Sequence, residues 1–158
     1  MYPITPPSQH FAWAEAEVTN HREFDNTVPT TLFPVIRNTA EGMERVRAIL
    51  DSTPILVTSW YRSPKVNIAV GSSNLTSQHP KGEAVDFIAP RFGSPKTVCE
   101  QLVDQVQFVN FDQLILEHTW IHISFTTPNV RPRKQVLSLL TNRRYALGLT
   151  DKHGRVFA

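Results

Sequence analysis

Apolar positions along this chain change period several times, and each change marks an element. Between Leu32 and Leu50 they recur at helical spacing, with Met43, Val46, Ile49 and Leu50 on one face and Pro34 suited to a first turn. Pro54 closes that segment, and Ile55-Leu56-Val57-Thr58-Ser59-Trp60 reads as a buried strand. Residues 61–82 are rich in Gly, Ser, Asn and Pro and read as mostly loop; Ala84 to Ile88 reads as a second short strand. Ser94-Pro95 predicts a helix start, serine as cap and proline in the first turn, with Val98, Leu102, Val106 and Val109 continuing the apolar face. Gln113–Glu117 and Trp120–Phe125 are strand-like runs parted only by His118-Thr119, which predicts a tight hairpin. Residues 1–9, with three prolines, predict an irregular lead-in. The sum is an α+β fold: a small, mostly antiparallel sheet flanked by helices.

Alternation within the hairpin sorts its side chains. Trp120, His122 and Ser124 share one face; Ile121, Ile123 and Phe125 share the other, which is core. A two-residue turn at His118-Thr119 sets Ile115 opposite His122 and Glu117 opposite Trp120. Glu117 then lies on the His122 face and diagonal to it, where a general base could sit. Asp86 follows the small residues Ala84 and Val85, an expensive place for a carboxylate unless a cation is near. His79, Asp86 and His122 together are a ligand set that holds catalytic zinc with one position open. Spacing alone leaves plainer readings standing: a satisfied strand histidine, an ion-paired aspartate, a solvated Arg62. His10, His21 and His153 have no partners at useful spacing and read as surface residues.

Composition narrows the class without choosing the chemistry. At 158 residues, 41% hydrophobic and 19% charged, the chain suits one globular domain with a real core. No apolar run approaches the roughly 20 residues of a membrane span. Met1-Tyr2-Pro3-Ile4-Thr5-Pro6-Pro7 lacks the basic start and apolar middle of a secretory signal, so the expected starting compartment is the cytoplasm. Cys99, the single cysteine, leaves no intramolecular disulfide and reads as a small buried helix residue. Charge is uneven: residues 1–125 carry 9 Lys+Arg against 13 Asp+Glu, and residues 126–158 carry 7 against 1. A basic tail of this kind suits either a solvated surface or an arm for an acidic partner.

Several ordered motifs together resemble a known family. Tyr61-Arg62-Ser63-Pro64, Asn67, Val70-Gly71, Ser77-Gln78-His79, Gly82-Glu83-Ala84-Val85-Asp86-Phe87 and Trp120-Ile121-His122-Ile123-Ser124 resemble the zinc D-Ala-D-Ala carboxypeptidases, the M15 peptidases, especially small phage-encoded members. His10-Phe11 and Asp25-Asn26-Thr27-Val28-Pro29 resemble the opening of that branch. The resemblance spans roughly residues 10–125 and implies a hedgehog/D-Ala-D-Ala-peptidase-like fold. It implies Zn²⁺ held by His79, Asp86 and His122, Arg62 as a partner for a carboxylate or oxyanion, and Ser77 as an aid to substrate binding. Some branches carry the catalytic glutamate three residues before the last histidine, where this chain has Thr119. Glu117 is the expected base, as in the small phage-type members, with His118 its competitor.

The reaction so implied is hydrolysis of an amide bond in peptidoglycan stem peptides, by a carboxypeptidase or an endopeptidase. Its setting would be the cell wall, reached after phage release or with a virion. On this reading residues 1–125 form the zinc peptidase domain, and residues 126–158 a basic extension that is not a separate domain. The rival reading is a virion structural or adaptor protein docking through Pro132-Arg133-Lys134-Gln135-Val136-Leu137-Ser138-Leu139-Leu140, although core packing is the plainer and favoured reading of those leucines. Nucleic acid is an unlikely partner, since the tail's cations are not interleaved with stacking aromatics beyond Tyr145.

Overall fold

The computed structural model describes every residue except Asn74 and Ala158. After the irregular lead-in comes one helical turn, α1 (Trp13–Ala16), where the Glu15 carboxylate accepts from the Ala12 N–H. Pro34 sits in the first turn of α2 (Phe33–Ile49), which buries Ile36, Ala40, Met43 and Val46. Gly42 is needed on that face, because a Cβ there would stand 2.7 Å from the Phe125 ring.

Strand β1 (Leu56–Ser59) follows, then a segment less loop-like than its composition predicts. Ser63-Pro64 uses the same start signal as Ser94-Pro95: the Ser63 hydroxyl accepts from the Val66 N–H and opens α3 (Pro64–Ala69). A 3₁₀ turn, His79–Lys81, then leads through left-handed Gly82 into β2 (Ala84–Ile88). Beyond it, α4 (Pro95–Asp104) stops earlier than its apolar spacing predicts, and Val106–Val109 forms a separate turn, α5, ended by left-handed Asn110. Cys99 is buried in α4.

The hairpin pairs β3 (Gln113–Leu116) with β4 (Ile121–Ser124), and Ile115 faces His122. Two further strands, β5 (Gln135–Leu139) and β6 (Tyr145–Leu147), come from the basic tail. The sheet therefore has six strands in the order β1-β2-β4-β3-β5-β6 and is mixed, not the small, mostly antiparallel sheet expected. The difference lies in β5, which runs parallel to β3. Its pairing covers the hydrogen-bonding edge that the hairpin leaves open, and the partners lie too far apart in sequence for local pattern to show it.

One face of the sheet is core. Val85, Phe87, Leu114, Leu116, Ile121 and Ile123 are buried there with residues of α2 and α4. On the opposite face, register aligns Asp86, His122, Ile115 and Leu137 across four strands. The tail is held by specific bonds. Asp112 accepts from the Arg133 N–H and guanidinium, and its carbonyl accepts from the Gln135 N–H. Buried Ser138 donates to the Gly148 carbonyl and accepts from the Thr150 N–H. Among the described residues, no helix is long and apolar enough to cross a membrane.

Candidate metal centre

Local structure delivers the three candidate ligands from different elements. Asp86 and His122 are register partners on β2 and β4, so their side chains leave the sheet side by side. His79 comes from the 3₁₀ turn, which is closed by the Gly82 N–H bonding to the His79 carbonyl. The Gly82 carbonyl in turn accepts from Thr39 Oγ1 and Trp60 Nε1, which pins the turn against α2 and the end of β1. Donor atoms of His79, Asp86 and His122 lie within 4.8 Å of one another. Both histidines approach the same carboxylate oxygen: Asp86 Oδ1 is 2.9 Å from His122 Nδ1 and 3.3 Å from His79 Nε2.

Proton accounting supports a group that could hold a cation. The Trp60 carbonyl can only accept, so His79 Nδ1, 2.6 Å away, carries the proton of the neutral ring. Burial pushes the His79 pKa down, against the pull of Asp86, and so favours that neutral ring. Its Nε2 then aims a bare lone pair at a carboxylate oxygen. A buried imidazole nitrogen and carboxylate oxygen at that distance call for positive charge between them, from a shared proton or from a metal ion. Ligands roughly 2.0–2.1 Å from a tetrahedral zinc ion stand about 3.3 Å apart, so the two approaches to Asp86 Oδ1 and the N, N, O donor set suit zinc. The Trp60 carbonyl that fixes the His79 tautomer escaped sequence reading, since a backbone acceptor leaves no residue-type signal.

Asp86 keeps its charge. Burial would raise its pKa, but the adjoining His79 and the bond from His122 outweigh that and hold it well below the ordinary carboxylate range. Its second oxygen accepts from Arg62 Nη2 at 2.6 Å, and Arg62 Nε donates to Ser59 Oγ. Arg62 is thus tied to the ligand carboxylate and still lines the cleft. The backbone around it is steadied by buried Asn26, whose amide bonds to the Tyr61 carbonyl and the Ser63 N–H.

Glu117 lines the same cleft, on the His122 side as the hairpin register requires. Burial raises its carboxyl to about 7; His122 and Arg62 pull it down and Asp86 pushes it up. His118 takes a different part. It occupies the left-handed position of the turn (φ 65°), and its Nε2 bonds to the Leu139 carbonyl, 2.5 Å away on β5. Ser77 lines the cleft, with its hydroxyl donating to Asn67 Oδ1 and accepting from the His79 N–H. His10 bonds to Glu44, while His21 bonds to Glu23 and also lines the cleft.

The family model Peptidase M15 matches residues 9–124. This chain belongs to the M15 peptidase family. No curated protein matches the chain. The family match contains every candidate ligand, Arg62, Ser77 and Glu117. It ends before β5, yet the M15 peptidase's cleft, of about 960 Å³, is also lined by Arg133, Leu139, Arg143 and Tyr145 of the tail. Sequence reading missed these four as cleft residues, because their position depends on the β3–β5 pairing.

Proposed function

We propose that this peptidase is a zinc enzyme that hydrolyses an amide bond in peptidoglycan stem peptides, as a D-Ala-D-Ala carboxypeptidase or an endopeptidase. The observation that carries the reading is the convergence of His79 Nε2 and His122 Nδ1 on Asp86 Oδ1, with Glu117 in the same cleft. Zinc held by these three residues would lower the pKa of a water to about 7 and draw electron density from a carbonyl.

The protein's own groups do the rest. Glu117 takes the proton of the attacking water and returns it to the departing amine. A carboxyl poised at about 7 in the metal-free protein suits a group that must do both near neutrality. His118 is the weaker candidate for that role, since its Nε2 is committed to Leu139. Arg62 fixes the orientation of Asp86 through one edge, and its remaining Nη1 is a donor for a substrate carboxylate or for the carbonyl oxygen as charge builds there. Ser77 holds the His79 turn and, lining the cleft, is placed to help bind substrate. The resemblance to small phage-encoded members supports a lysin or virion-associated role at the cell wall.

Digestion of purified peptidoglycan, with mass analysis of the fragments, tests the reading and identifies the bond. Wild-type protein is expected to release D-alanine or stem peptide, and Glu117→Gln to lose at least 100-fold of that rate, roughly the contribution of general acid–base catalysis, while keeping its zinc. Undiminished hydrolysis by the variant would remove Glu117 from the mechanism. An inert wild-type protein would remove the substrate.

A further inference from the structure

The wall of the cleft that lies outside the family match is the least expected part of the site. By register, β5 and β6 continue the metal-side face of the sheet: Ile115 neighbours Leu137, and Leu139 faces Tyr145. Leu139 and Tyr145 line the cleft, and Tyr145 is half exposed. Burial, Glu117 and Asp86 together push the Tyr145 phenol up, which keeps it neutral beside the candidate centre. The connecting turn is tight. Leu140 N–H bonds to the Arg144 carbonyl and Arg143 N–H to the Leu140 carbonyl, with Arg143 itself left-handed at φ 63°. The hairpin is anchored by Ser138, by the Gly148–Val136 backbone bond and by the His118–Leu139 bond, so the wall is set before substrate arrives.

Three arginines line this cleft, and two are already occupied. Arg62 is bonded to Asp86 and Ser59, and Arg133 to Asp112. The Arg143 guanidinium makes no hydrogen bond or ion pair with any described residue. It also belongs to a segment with six more basic than acidic residues, beside a body with four more acidic than basic (7 against 1; 9 against 13). An acidic peptide approaching that body gains from a cation at the rim.

We propose that the β5–β6 hairpin is a specificity subsite, in which Arg143 pairs with a carboxylate near the scissile bond and Tyr145 packs against the residue bearing it. The subsite rests on the peptidase reading above and adds the substrate feature it selects. A planar guanidinium matches a carboxylate in two-point contact, and a half-exposed aromatic offers apolar area at small entropic cost.

The test uses two synthetic stem-peptide fragments, identical except that the glutamyl α-carboxylate is free in one and amidated in the other. Zinc-loaded wild-type protein is expected to favour the free acid in kcat/KM by roughly three- to tenfold, an exposed but two-point ion pair, with the preference shrinking in high salt. Arg143→Asn tolerates the left-handed turn and should abolish the preference, bringing kcat/KM for the free acid down to that for the amide. Arg143→Lys should restore part of it. Binding of both peptides to zinc-loaded Glu117→Gln, with and without Arg143→Asn, should show the same discrimination without hydrolysis. Equal acid-to-amide ratios in wild type and Arg143→Asn, with hydrolysis intact, would overturn the subsite and leave the peptidase reading standing. Failure of wild type to cleave either peptide would overturn both.

Discussion

Glu117 is a costly residue for the folded protein and shows what the site demands of single side chains. Burial raises its carboxyl from 4.5 to about 7, so the folded state holds a proton that the unfolded chain releases. Stability from this group is therefore greatest at low pH and declines as pH rises from about 4.5 through about 7. Glu117→Gln should raise the melting temperature of the metal-free protein by a few degrees at pH 8, and by less at pH 5, as read by thermal denaturation. An equal gain at both pH values would mean that the carboxyl is not strained in the fold. The placement of Glu117 was legible in sequence, because a two-residue turn and strand alternation put it on the His122 face. The part played by His118 was not: its ring bonds to a backbone carbonyl 21 residues away.

At the scale of elements, Asp112 ties the tail to the body. It is buried, and it accepts from the Arg133 backbone and guanidinium and from Gln78. Burial would raise its pKa, but these bonds win and hold it below the ordinary carboxylate value of 3.8. Its contribution is thus complete above that value and is lost as pH falls through the lower, folded one. Asp112→Asn should cost about 1–3 kcal/mol in urea denaturation at pH 7, progressively less as pH falls below 3.8, and should loosen amide-exchange protection in β5 and β6 first. Loss spread evenly over the sheet would contradict a clamp local to the tail. Elements with local signals were readable: α2 from its 3.6-residue period, α4 from Ser94-Pro95, β3–β4 from alternation around a short turn. Strand β5 was not, because its short apolar run equally suits surface, docking arm or core until its parallel partner is known. Helix α3 was hidden for a different reason, as Ser63-Pro64 carries a start signal that the surrounding loop-like composition masks.

At the scale of the whole molecule, the cleft is assembled from segments far apart in sequence. The 3₁₀ turn supplies His79, β2 and β4 supply Asp86 and His122, β1's end supplies the Trp60 carbonyl and Arg62, and the tail closes one side. The candidate ligands could be named from sequence because residue type and motif order single them out. Their convergence on one oxygen of Asp86 could not, since it depends on the β2–β4 register and on the Gly82 carbonyl held by Thr39 and Trp60. The central claim is that this convergence is a zinc site, and calorimetric titration of zinc into metal-stripped protein tests it most directly. One ion per chain is expected for wild type and for Glu117→Gln, with high-affinity binding lost in His122→Ala. Absence of binding in wild type, or undiminished binding in folded His122→Ala, would contradict it.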